Sequence, residues 1–122
     1  MIRYYIADLH SRCGEYDFIE HVRFAMREPE KDFFDTPEEV AYQKAEKFCD
    51  EIAQFWYDGE EGGEEEDENW WSFNGGEVWT RYGFHKQITK ETYNDIHGTV
   101  TDHTDWELAK EIKDNEVQSN NG

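Results

Sequence analysis

Ile2, Tyr4 and Ile6 alternate with their neighbours along "IRYYIADL", and β-branched and aromatic residues in that pattern suit a half-buried pleated surface, so the chain is expected to open with a strand. "SRCGEY" supplies a glycine-containing turn. Alternation resumes at Phe18, Val22, Phe24 and Met26, which predicts a hairpin. Glu20 breaks the apolar face, as expected where that face reaches a sheet edge.

The period then changes. Ala41, Ala45, Phe48, Cys49, Ile52, Phe55 and Trp56 recur at three- and four-residue steps, which predicts an amphipathic helix with one face on the sheet. Thr36 is its N-cap, Pro37 suits the first helical position, Glu39 completes a capping box, and Gly59 is available as a stop. Glu39, Gln43, Glu46 and Asp50 share the face expected to point away from the sheet, with neighbours roughly 5–6 Å apart. Lys44 and Lys47 lie nearby and dilute that field.

Beyond an acidic stretch, "NWWSFNGGEVWTRYGF" places two aromatic segments around Asn74-Gly75-Gly76, residues that tolerate positive φ, and so predicts a second hairpin. Trp71, Phe73, Val78, Tyr82 and Phe84 are its core candidates. If this segment is a strand, Trp70 and Trp71 face opposite ways and at least one is exposed. "HKQIT" is expected to extend the sheet, and "KETYNDIHG" fits a short helix or another strand. Thr104 and Glu107 repeat the capping-box spacing, with Trp106, Ala109 and Ile112 along one side of a short helix, and "NEVQSNNG" reads as frayed.

The expected fold is therefore α+β: a small antiparallel sheet of order β-β-α-β-β, one main amphipathic helix packed on it and a short C-terminal helix. Residues 1–115 form a single domain with an acidic loop at 58–69, and 116–122 form a flexible tail. At 122 residues the chain has room for one modest core.

Charge changes the picture most. Thirty acidic residues face twelve basic ones, a formal net charge of −18. Twenty aromatic side chains nevertheless argue for a packed domain, because disordered acidic tails lack the groups that offset chain entropy. The excess is uneven: eight carboxylates and no Lys or Arg occur between Asp58 and Asn69, and residues outside that run still carry a net −10. Such a chain is repelled by phosphate, so direct nucleic-acid binding and attraction to anionic membranes are both disfavoured, and the expected partner is a basic protein. No run approaches transmembrane length, no signal-peptide pattern opens the chain, and the expected location is cytoplasmic. Cys13 and Cys49 fit no metal or redox spacing and read as reduced thiols, with a mutual disulfide left open by spacing alone.

Catalytic signatures are weak. His10, His21, His85, His97 and His103 form no His-Glu-x-x-His pair and no zinc pattern, and the acidic run lacks a calcium-loop spacing. His97, with Thr99 two residues on, supplies half of a two-histidine phosphoesterase pattern, and His103 does not supply the other half. A small metal-dependent enzyme using His97, Asp102 and His103 is the catalytic alternative. The favoured reading is non-enzymatic, with no cofactor and no resident metal.

Recognition remains. Proteins that grip duplex DNA hold rows of Lys and Arg, and a folded acidic surface engages the same rows. The expected contact surface combines Glu39, Glu46 and Asp50 with Asp58, Glu60, Glu61, Glu64, Glu65, Glu66, Asp67 and Glu68, provided helix and run lie on one side, and takes Trp70 as an aromatic anchor. In size, acidity and aromatic content the chain resembles phage-encoded inhibitors that mimic nucleic-acid charge to block restriction or CRISPR effectors. It also resembles immunity proteins that cap basic nuclease toxins. Those resemblances imply an anti-CRISPR or anti-restriction inhibitor, or an antitoxin, whose partner is a nuclease or a nucleic-acid-binding complex.

Overall fold

A computed structural model describes residues 1–28, 36–57, 59–66, 70–96 and 100–121, with side chains described to Asp114. The chain opens with a long hairpin, β1 (Ile2–Cys13) and β2 (Tyr16–Arg27), followed by α1 (Pro37–Gln54). Then come β3 (Glu64–Glu65), β4 (Trp71–Phe73), β5 (Val78–Ile88), α2 (Lys90–Asp95), β6 (Thr101–Asp102) and α3 (Trp106–Asn121). The strands form one mixed sheet in the order β3-β4-β5-β1-β2-β6, antiparallel throughout except where the short β6 runs parallel to β2.

β1 lies between its two longest neighbours, and its alternate side chains supply both sides of the sheet. The sequence pattern singles out Ile2, Tyr4 and Ile6, yet the deeply buried set is the other one: Tyr5, Ala7, Leu9 and Ser11. Tyr5, Ala7 and Leu9 join Val22 and Phe24 of β2 and Trp71, Phe73 and Val78 of the second hairpin beneath Ala45, Cys49, Ile52 and Ala53 of α1. Ile2 and Tyr4 sit half-buried on the reverse face, where Ala25, Ile88 and Tyr93 pack with Leu108 and Ile112 of α3. A strand covered on both faces has two apolar sets, and small residues such as Ala7 mark the tighter one.

The start of α1 follows the sequence closely. The Thr36 hydroxyl accepts from the Glu39 N–H, and the Glu39 carboxylate accepts from the Thr36 N–H, each at 3.2 Å. Its end comes at Gln54, earlier than Gly59, because the sheet and the following loop take its last carbonyls. The buried Thr80 hydroxyl donates to the Ala53 carbonyl at 2.5 Å, and the Gly63 N–H donates to the Gln54 carbonyl at 2.8 Å. Gly63 passes so close to β4 that an added Cβ would lie 2.9 Å from the Ser72 carbonyl oxygen.

The Asn74-Gly75-Gly76 turn forms as expected, with φ of 53°, 69° and 92° at the three positions. In β5, Val78, Thr80 and Tyr82 lie on the α1 side, but the register shifts at Asp8/Leu9 opposite Gly83. This bulge inserts one residue and turns Phe84 to the other face, where it is 48% exposed; it is not a core residue. Trp106 likewise stands 71% exposed at the start of α3, where Leu108 and Ile112 carry the packing. The cap there is Asp105, whose carboxylate accepts from the Glu107 N–H at 3.2 Å, while Thr104 is drawn inward to the Tyr93 hydroxyl at 2.6 Å and the Ala25 N–H at 3.1 Å. The α3 backbone stays helical through Asn121, beyond the point where the pattern predicts fraying. α2 resolves the ambiguous stretch as a helix capped by Thr89.

The bulge makes a direct prediction about stability. Phe84→Ser should change the urea midpoint little, whereas Phe73→Ala and Leu9→Ala should each cost about 2–5 kcal/mol, measured by equilibrium urea unfolding.

Candidate functional site: the acidic margin of the sheet

β3 consists of two glutamates from the acidic run, held at the sheet edge by pairing of Glu64 with Ser72 and Glu65 with Trp71. Directly paired residues share a face, so Glu65 stands on the α1 side beside Trp71, and Glu64 stands on the reverse side beside Ser72. Glu66 is also on the reverse side, where its carboxylate accepts from the Ser72 hydroxyl at 3.1 Å. The run therefore straddles the edge of the sheet, and its carboxylates point to both sides.

The α1 carboxylates occupy the flank of the helix nearest this edge, not its far side. The Trp71 indole N–H donates to Asp50 at 2.9 Å, and the Tyr82 hydroxyl donates to Glu46 at 2.9 Å. Donors on β4 and β5 thus hold both carboxylates on the α1 side of the sheet, the side on which Glu65 stands. Glu39 does not join them, because it lies eleven residues up the helix, about 16 Å from Asp50 along the axis, with its carboxylate bound into the cap. Glu60 and Glu61 are exposed between α1 and β3. Asp58, Asp67 and Glu68 lie outside the described residues.

Trp70 is half-buried on the reverse face. Its ring lies 4.6 Å from the Arg81 guanidinium and 5.4 Å from that of Arg12, with the His10 and Trp79 rings at 5.0 and 6.5 Å. Its faces are engaged by this chain's own cations.

Among the described residues, the arginine ion pairs Arg3–Glu28, Arg3–Glu38, Arg12–Asp17, Arg23–Asp102 and Arg27–Glu111 draw on β1, β2, β6, α3, the residue after β2 and the first turn of α1. None of the ion pairs involves Glu46, Asp50, Glu64, Glu65 or Glu66. The negative potential at the margin shows in its neighbours. Burial, with Glu46 and Asp50 adding to it, pushes the Cys49 thiol up to about 12. Burial and then the bond to Glu46 also raise the Tyr82 phenol.

No family model, curated protein or solved structure matches the chain.

Of the residues named by the catalytic alternative, Asp102 and His103 are engaged with different neighbours. Asp102 accepts from Arg23 at 3.1 Å and from the Thr104 N–H at 2.9 Å, with the Tyr93 hydroxyl at 3.4 Å. His103 instead lines a small cleft with Glu20, Trp56 and Thr101 on the α1 side, and His97 lies outside the described residues. Glu20, the break in the β2 pattern, accepts from the Trp56 indole at 3.0 Å and from the Thr101 hydroxyl, tying β2 to α1 and β6. Burial raises its carboxyl, and those bonds, with His103 nearby, more than offset that and leave it below the ordinary range. Among the described residues, no three His, Cys, Asp or Glu side chains converge as a metal site, and no helix is long and apolar enough to cross a membrane. Both cysteines are free thiols.

The donors Trp71, Ser72 and Tyr82 were legible only as aromatic or small strand residues. Their role follows from the pairing of β3 with β4, which a two-residue strand inside a charge run does not announce.

Cys49 fixes a pH prediction. Its folded-state thiol holds its proton to about pH 12 while the unfolded thiol releases it near 9, so the native state binds more protons in that window. Stability should fall as pH rises from about 9, by up to about 1.4 kcal/mol per pH unit for this group. Cys49→Ala should flatten that part of the profile, as read by urea unfolding between pH 8 and 11.

Proposed function

We propose that the protein is a non-enzymatic inhibitor that binds a basic, nucleic-acid-handling protein through the β3 margin and occupies the surface that otherwise takes phosphate. One observation carries this reading: Asp50 and Glu46 of α1 and Glu66 just after β3 are oriented by the neutral donors Trp71, Tyr82 and Ser72 beside the paired Glu64 and Glu65, and none of these five takes part in the ion pairs among the described residues. A mimic of a phosphate row needs charges that are held in place but not neutralised, and hydrogen bonds from neutral donors do both. The margin faces two ways, which suits a partner that wraps an edge, as a groove does. Long-range attraction from a net −18 would speed the encounter, and the margin would set where contact forms.

A defence nuclease and a nuclease toxin present the same kind of basic groove. Counter-defence of the anti-CRISPR or anti-restriction type and toxin immunity therefore differ in partner, not in contact chemistry. The expected setting is the cytoplasm, where such partners act.

The test is capture of partners on the immobilised chain at low salt, followed by elution with rising salt or with excess duplex DNA. A basic nucleic-acid-binding protein should elute both ways. Joint replacement of Glu64, Glu65 and Glu66 by Lys should weaken that binding by at least tenfold, and the same change at Glu15, Glu91 and Asp114 should weaken it far less. Binding that persists in excess nucleic acid would overturn mimicry.

A further inference from the structure

At the end of β4 the structure opens into a cleft of about 590 Å³, within the size range of small-molecule sites. Its walls come from three elements. Tyr57, from the segment after α1, meets Phe73 of β4 with ring centroids 5.7 Å apart and planes inclined at 56°, forming an aromatic corner. Trp79 of β5 contributes the third ring; its indole N–H donates to the Gly76 carbonyl at 2.7 Å, so the surface it offers the cleft is carbon. The floor of the turn is bare, because Gly75 and Gly76 carry no side chain and a Cβ at Gly75 would meet nothing within 4 Å. Glu64 and Glu66 line the same space, with Glu66 fixed by the Ser72 hydroxyl.

We infer that this cleft is a socket for a guanidinium group, that is, for an arginine side chain of a basic partner. The inference rests on the proposed reading that the partner is basic, and it names the group taken and the place. The carboxylates alone define only a charged surface. It is the ring surface of exposed Tyr57 and half-buried Trp79 beside the carboxylates that selects the ligand, because aromatic walls favour a flat, weakly hydrated cation that stacks, and carboxylates at the rim favour one that donates two parallel N–H bonds. An ammonium group satisfies the charge but not the stacking. An anion is repelled.

Tri-arginine amide, with tri-lysine amide at matched ionic strength as the comparison, is the probe. Amide and indole resonances are followed by two-dimensional NMR. Saturable shifts at Gly75, Gly76 and the Trp79 indole N–H are expected, with tri-arginine bound at least about threefold more tightly than tri-lysine. Trp79→Leu and Glu66→Gln should each weaken tri-arginine binding about fivefold or more. Glu66→Gln keeps an acceptor for Ser72, so it reports on charge without removing the bond that orients the side chain. Shifts spread evenly over the carboxylate residues, equal for the two peptides and unchanged in both variants, would overturn the socket. If the variants lose tri-arginine but still capture a DNA-displaceable partner in a salt-sensitive way, the socket stands as a site the partner does not require. If tri-arginine binding is intact and no partner competes with nucleic acid, the mimicry reading fails and the socket remains.

Discussion

The acidic margin depends on the bond from the Trp71 indole to Asp50. Trp71 is buried under α1, and its N–H is satisfied by a carboxylate on the flank of that helix, so one side chain both packs β4 into the core and ties it to the helix. β4 is only three residues long and β3 only two. Neither would hold its place as an isolated ribbon. With Trp71 and Phe73 anchored beneath α1 and β4 paired to β5, β3 gains a template, and the glutamates it carries are displayed from a fixed edge.

That arrangement also explains how the fold tolerates its charge. Like charges repel most strongly when they are close and in low dielectric, so a chain with net −18 does best with its acids at rims and its apolar area concentrated. The two clusters on either side of β1 do the latter. The ion pairs of Arg3, Arg12, Arg23 and Arg27 neutralise part of the hairpin and α3 side. None of these pairs reaches Glu46, Asp50 or Glu66, whose orientation comes from neutral donors. Asp17 illustrates the contrast: the bond from Arg12 holds its carboxyl below the ordinary range, as befits a charge that is paired.

The sequence announced what local rules govern. The capping box at Thr36 and Glu39, the helical period of Ala41, Ala45, Cys49 and Ile52, and the Asn74-Gly75-Gly76 turn are determined within a few residues, and each appears in the structure. What depends on distant partners was less legible. Phe84 follows the apolar alternation of Val78 and Tyr82 until the bulge at Gly83, which reflects pairing with β1 some seventy residues earlier. Thr104 has the spacing of a cap, but Tyr93 and Ala25 compete for its hydroxyl and leave the role to Asp105. The pairing of Glu64 and Glu65 in a strand runs against β propensity, and only an anchored β4 makes it favourable.

Charge and selectivity are different properties of the same edge. A row of carboxylates attracts any polycation, and its contribution fades as salt screens it over a Debye length of about 8 Å at physiological ionic strength. Selection among basic partners requires short-range contacts that discriminate by shape. At the β4 end, Tyr57, Phe73 and Trp79 bring carbon surface against Glu64 and Glu66, so a cation entering there exchanges water for ring faces and carboxylate at once. Desolvated in this way, an ion pair is screened less than one on the open rim. The margin would thus recruit by field and discriminate by fit, with the carboxylates of the β3 edge beside rings from β5 and the segment after α1.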